Sequence, residues 1–417
     1  MANEIKFIVE SADLAHALSV LSIVPPQAVG VGGGGYLFVV RGELCAVYSR
    51  DGKHEARSSF PVRDVTGEGM FMLPSECAPA LGFVKGPIGF VASEDGGAFK
   101  VRYSFGASGV SEHVTFDPRT MALFEKDIAK AKENTPTKFQ IEVLRYALGF
   151  AKSYLPKPND PVDQEQYRTI KVFGNADPEL AKKANGYLLA SNGREIGYFH
   201  CSAFVDQDLT LPSQHIGAVE AFLRASDGGV EVYATDTKAY VINGKGDVFG
   251  WPKHATEYKR FSYYAKQDEV VAQVSPELIS HQLKYMKATL GKQKTKIKLH
   301  FSPEEQAFHF SSVDESNNTR SLPVPVESLE TKVTSEVVVN VNVAHMLHMF
   351  DGVTGDRVEF RIKVIPADAN RPKDRFMFRT IDEFLLNDEG EVVGGLVDNA
   401  PAEAHRCTVT RFCPSID

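Results

Sequence analysis

From Lys138 to Leu155 the sequence reads KFQIEVLRYALGFAKSYL, a short apolar alternation that passes into Leu144, Ala147, Leu148 and Ala151 at i, i+3, i+4 and i+7. The first part predicts a strand, and the second an amphipathic helix burying one stripe. The same passage from strand to helix occurs at Ile5 to Val24 (IKFIVESADLAHALSVLSIV) and at Val270 to Leu290 (VVAQVSPELISHQLKYMKATL), about 130 residues apart each time. Once found three times, the pattern sets the period of the chain.

A second kind of strand-to-helix junction also recurs: FMLPSECAPALGFV from Phe71, LTLPSQHIGAVEAFL from Leu209 and VVVNVNVAHMLHMF from Val337. The first two share Leu-Pro-Ser, at Leu73 to Ser75 and Leu211 to Ser213, where proline is expected just inside a helix start. Each junction is followed by a glycine-marked turn and alternating stretches, Gly86 to Tyr103, Asp227 to Asn243 and Gly352 to Ile365, which predict half-buried antiparallel strands. The 417 residues therefore divide into three similar α+β units, each of antiparallel sheets with two helices, at 1–125, 126–262 and 263–417. Units of this size exceed any solenoid repeat and are large enough to bury their own cores. Polar stretches at Asp117 to Pro136 and Tyr258 to Asp268 are the expected joints.

The composition is that of an ordinary globular protein, with 43% hydrophobic and 24% charged residues and a net charge of -8. Five scattered cysteines, none in a Cys-x-x-Cys pair, indicate neither a disulfide framework nor a zinc site. No apolar run is long enough to span a membrane, and the amino terminus has no secretory profile, so a cytoplasmic protein is expected. Charge is unevenly spread. From Leu278 to Pro303 there is no acidic residue, while Lys284, Lys287, Lys292, Lys294, Lys296 and Lys298 supply six cations. Two readings stand: a solvated helix followed by an edge strand protected by lysines, or a surface that contacts phosphates without reading sequence.

Catalytic constellations do not emerge. The run Gly30 to Gly35 lacks the Gly-Lys-Ser/Thr of a phosphate loop, and a strand rather than a helix follows it. His345 and His348 are three apart on a helix, but no Cys or carboxylate nearby in the sequence completes a metal site. Glu304 and Glu305 follow Pro303 as a surface turn. No enzymatic activity, cofactor or metal is expected.

Taken in order, the segments KFIVESADLAHAL from Lys6, YLLASNGREIGYF from Tyr187, EYKRF from Glu257 and VVVNVNVAHMLHMFDG from Val337 resemble the bacterial DNA polymerase sliding clamp, the beta clamp or processivity ring. The resemblance covers nearly the whole chain. It also has departures. In the turn, Ser191, Asn192 and Gly193 fit the family pattern, whereas Arg194 and Glu195 stand where the family has histidine and arginine. The tail Cys413-Pro414-Ser415-Ile416-Asp417 keeps only the family's proline, Glu383 to Glu403 reads as an insertion, and the first helix has no Lys or Arg. Such a pattern suits a divergent, virus-encoded relative.

What the resemblance implies is a head-to-tail homodimeric ring around double-stranded DNA, with helices inside and sheets outside, partnered by a DNA polymerase and a clamp loader. Its basic lining would come from Arg145, Lys152, Lys157, Arg224, His281, Lys284, Lys287 and Lys292. The family's partner-peptide groove, between the second and third units, would map to Ser191, Gly193, Arg194, Ile196, Phe261, Cys413, Pro414 and Ile416. The competing class is a ring-forming structural protein of the same architecture without a DNA function.

Overall fold

The computed structural model describes residues 4–26, 34–95, 98–106, 108–114, 126–157, 159–160, 165–174, 186–253, 270–290, 295–302, 304–305, 307–313, 319–332, 337–365, 375–395 and 404–416. It is an α+β structure dominated by antiparallel sheet. The helices are α1 (Ser11–Leu21), α2 (Cys77–Leu81), α3 (126–131), α4 (Ile141–Lys152), α5 (Ser213–Arg224), α6 (Pro276–Thr289) and α7 (Val343–Phe350). The chain forms two compact units: Met1–Ile141 with Gln214–Ala255, and Glu142–Ser213 with Thr256–Asp417. The middle third of the sequence is thus shared between them.

In the first unit, a five-stranded sheet runs in the order Arg63–Thr66, Glu4–Glu10, Pro87–Asp95, Ala98–Phe105, Ser108–Val114. An eight-stranded sheet runs Thr137–Gln140, Gly229–Ala234, Lys238–Asn243, Val248–Pro252, Glu55–Pro61, Leu44–Arg50, Gly35–Arg41, Gly69–Pro74. Strands from before residue 141 and after residue 228 meet where Val248 to Gly250 pair with Arg57 to Glu55. Alternation decides which face is buried: in Glu4–Glu10, Ile5, Phe7 and Val9 point inward. Phe7 stacks on Phe90 and Phe38 on Phe71, each pair 5.1 Å between centroids, and α1 covers part of this core with Leu14, Ala17, Leu18 and Leu21.

The second unit contains a ten-stranded sheet. Its path is Asp208–Pro212, Thr169–Phe173, Tyr187–Ser191, Ile196–Cys201, His405–Pro414, Arg375–Leu386, Val358–Ile365, Val270–Val274, Ser328–Thr331, with Val392–Gly395 branching from Arg375–Leu386. A four-stranded sheet runs Thr319–Pro325, Ala307–Val313, Lys296–Ser302, Val337–Asn342. Between them lie α6 and α7, whose Ile279, Leu283, Met286, Met346, Met349 and Phe350 join one apolar core. The helix starts are encoded locally. Ser275 caps α6 by accepting from the Leu278 amide, with Pro276 in the first turn, and Asn342 caps α7 by accepting from the amides of Ala344 and His345.

Two sequence expectations are corrected, and one expected joint includes a helix. Pro74 and Pro212 are the last residues of outer strands rather than the first of helices. An edge position suits them, because proline has no amide hydrogen to give a ladder. The polar stretch before Pro136 includes α3, whose Ile128 and Ala131 are buried against Leu37, Tyr48 and Tyr240. Lastly, Lys296–Ser302 is no edge strand, since it is paired on both sides.

Candidate functional site

On α6 the apolar positions Ile279, Leu283 and Met286 are buried, which turns His281, Lys284, Tyr285 and Lys287 to solvent. Lys284 and Lys287 make no ion pair among the described residues. Lys296 and Lys298 are exposed too, but they alternate with the buried Ile297 and Leu299 and so occupy the opposite face of their sheet from the core. The lysine run is therefore two surfaces, and only the helical one fits a common phosphate-contacting face. Lys292 lies outside the described residues.

The remaining basic candidates are less free. Arg145 gives Nη1 to both oxygens of Glu142, at 2.7 and 2.8 Å, one helical turn away. Arg224 is exposed at the end of α5, with Nε 3.3 Å from the Glu220 carbonyl oxygen. Lys152 is exposed at the end of α4, and Lys157 follows in a loop held by its amide donating to Asp160 at 2.8 Å.

A cleft of about 340 Å³ opens in the second unit, lined by Arg194, Asn342, His345, Cys413, Pro414, Ser415 and Ile416. Arg194 enters from the turn between Tyr187–Ser191 and Ile196–Cys201. There the Asn192 side-chain oxygen accepts from the amides of Arg194 and Glu195, at 2.9 and 2.8 Å, and Gly193 supplies the left-handed residue (φ 85°). Ser191 is buried, its hydroxyl donating to the Glu195 carbonyl oxygen at 2.9 Å. The tail forms the other wall. Ser415 donates its amide to the Phe376 carbonyl oxygen at 2.8 Å, and Ile416 donates to that of Asn340 at 3.0 Å.

Behind the wall sits a polar knot. Glu195 is buried, and its Oε1 accepts from His345 Nδ1 at 3.0 Å and His348 Nδ1 at 3.2 Å, while Oε2 accepts from the side-chain Nδ2 of Asn192 at 3.0 Å. Burial alone would raise the carboxyl pKa, but the two imidazole hydrogen bonds outweigh it and hold it at about 2. The His348 ring lies 4.7 Å from that of Tyr154, which is wholly buried against Gly197. A Cβ on Gly197 would stand 2.5 Å from Tyr154 Cδ2, so the aromatic ring occupies space that only glycine leaves open. Burial and the Glu195 charge push the Cys413 thiol upward, keeping it protonated and apolar in character.

Of the residues expected in a partner groove, Arg194, Cys413, Pro414 and Ile416 line this one cleft. Ser191, Gly193 and Ile196 build the turn and strand beside it, and Phe261 lies outside the described residues. His345 and His348 do have a carboxylate partner, contrary to the expectation from sequence. Some 150 positions separate Glu195 from them, and only the pairing of distant strands closes that gap. Even so, the described residues hold no cluster of three or more His, Cys, Asp or Glu arranged for a metal, and none of their helices is long and apolar enough to cross a membrane.

No protein-family model matches the sequence, and none of the curated proteins does. Solved structures do match. The DNA polymerase sliding clamp of Pseudomonas aeruginosa aligns over 99% of both chains at 12% identity and TM-score 0.65. That of Bacillus subtilis aligns over 99% of both at 10% identity and 0.66, and the DNA polymerase III beta subunit of Thermotoga maritima over 99% of both at 12% and 0.61. The chain has the sliding-clamp fold. The exposed side of α6 and the cleft at Arg194 are two surfaces of the second unit with chemistry to offer.

Proposed function

We propose that the protein is a sliding clamp: two copies close head to tail around duplex DNA and hold a polymerase to it through short peptides seated in the cleft. The observation that carries this reading is the row His281, Lys284 and Lys287 on the exposed face of α6, basic and without acidic partners among the described residues, in a chain of net charge -8. A ring needs only weak, sequence-blind contacts to phosphates, because its hold on DNA is topological. Arg145, Lys152, Lys157, Arg224 and Lys292 add to the lining, with Arg145 largely neutralised by Glu142.

Sheet edges support the closure. If the chain consists of repeats 1–125, 126–262 and 263–417, each wide sheet combines strands of two successive repeats, through Val248–Pro252 on Glu55–Pro61 and Ile196–Cys201 on His405–Pro414. The narrow sheets of the first and third repeats keep free outer strands among the described residues, such as Ser108–Val114 and Thr319–Pro325. Pairing one copy's first-repeat sheet with the partner copy's third-repeat sheet joins them as the internal repeats are joined, a heterologous contact that closes after two copies. Cytoplasmic placement and recruitment by a clamp loader follow from this reading.

The test is retention on nicked circular DNA at moderate salt, before and after the circle is linearised. A clamp sediments at about twice its 45.9 kDa chain mass, stays on circles and runs off linear ends. Exchanging Lys284 and Lys287 for Glu lowers retention and flattens its salt dependence by about two charges. Equal retention on linear and circular DNA refutes the ring, and a monomer with unaltered DNA binding refutes the closure as well.

A further inference from the structure

Resting on the reading of the cleft as a peptide site, we infer that its occupant carries an acidic side chain beside its apolar one, with the carboxylate seated on Arg194. The apolar part has a place: Pro414, Ile416 and Cys413 form a wall whose backbone is pinned to Phe376 and Asn340. The charged part follows from what Arg194 lacks. Its backbone amide is spent on Asn192, but its guanidinium, exposed at the cleft, makes no hydrogen bond or ion pair among the described residues. The neighbouring carboxylate is already occupied. Glu195 is buried and accepts from His345, His348 and Asn192, and it makes no ion pair with Arg194 among the described residues.

The turn therefore separates two adjacent opposite charges, sending the anion inward to the imidazoles and the cation outward to solvent. An unpaired guanidinium at the mouth of an apolar cleft complements a carboxylate, which it can grip with two parallel hydrogen bonds. An amide of the same shape offers it one neutral acceptor instead, and a charged contact of this kind is worth about tenfold in affinity. His345 lines the same cleft with Nδ1 committed to Glu195, so it shapes the site and is not the anchor.

The experiment measures fluorescence anisotropy of the full-length protein with labelled octapeptides. Each contains a Leu-Leu pair, with one Asp moved through the remaining positions, and each is matched by its Asn counterpart. The expected result is at least one register in which Asp binds about tenfold tighter than Asn, with the ratio falling to about one in Arg194→Ala and partly kept in Arg194→Lys. Circular dichroism of the variants checks that the exposed turn still folds. If Asp and Asn peptides bind equally, the acidic preference fails while the peptide cleft stands. A preference that persists in Arg194→Ala refutes the anchor, and absence of binding by every peptide refutes both the anchor and the cleft.

Discussion

Replacing His200 with Phe should remove a pH-dependent weakness from the second unit. His200 lies on Ile196–Cys201, fully buried, its ring parallel to that of Tyr198 at 6.0 Å and 5.2 Å from that of Tyr187. Neither ring nitrogen has a hydrogen-bond partner among the described residues. Burial without a partner penalises the charged form and lowers the pKa from 6.5 to about 4. Between those values the unfolded chain binds a proton that the folded chain refuses, so stability is intact above pH 6.5 and declines as pH falls toward 4. A shift of this size corresponds to about 3 kcal/mol when fully developed, and to about 2 kcal/mol at pH 5. Phe fills nearly the same volume among the same aromatic neighbours and cannot be protonated. Native-state hydrogen exchange of the amides in Ile196–Cys201, compared at pH 7 and pH 5 after correction for intrinsic rates, isolates the effect from unfolding of the first unit. The wild type should lose about 2 kcal/mol more protection than His200→Phe over that interval. Equal losses would mean that water or another group solvates the ring, and the assigned cause would be wrong.

Glu195→Gln should loosen the cleft at neutral pH, because two imidazoles lose the charged acceptor they share. In the wild type that contribution is present above the ordinary carboxyl range near 4.5 and is lost as pH falls toward 2, a window below that of His200; pH-dependent unfolding of the two variants should separate them. Gly197→Ala should cost about 1–3 kcal/mol by pushing against the Tyr154 ring, measured as a shift in urea midpoint at constant slope.

The parts of the fold visible in sequence were those set by local periodicity. Ile279, Leu283 and Met286 at helical spacing announced the buried side of α6, and Glu4–Glu10 announced its strand by alternation. Leu-Pro-Ser was seen as a junction but placed one element late, since proline serves an outer strand's end as well as a helix's first turn. The place of Lys296 and Lys298 is hidden for a related reason: whether a strand is internal depends on partners far along the chain, here Ala307–Val313 and Val337–Asn342. Glu195 with His345 and His348 was hidden most completely. Nothing in a turn of polar residues says that its glutamate will be buried, or that a helix some 150 positions later will meet it.

The chain keeps the fold of solved sliding clamps at 10–12% identity, and the knot is a part of it that tolerates little substitution. Pairing register and inward alternation accept many apolar side chains, so the sheets drift in sequence without changing path. A buried carboxylate is less forgiving, because an ionised Glu195 without donors would cost several kcal/mol and would take up a proton or leave the site. In this turn the buried Glu195 is tolerable only with His345 and His348 placed to receive the acid. The turn and α7 are therefore coupled through these side chains. Transplanting Arg194 and Glu195 alone into another chain of this fold would strand a charge, whereas moving them together with both histidines would keep the buried carboxylate paired.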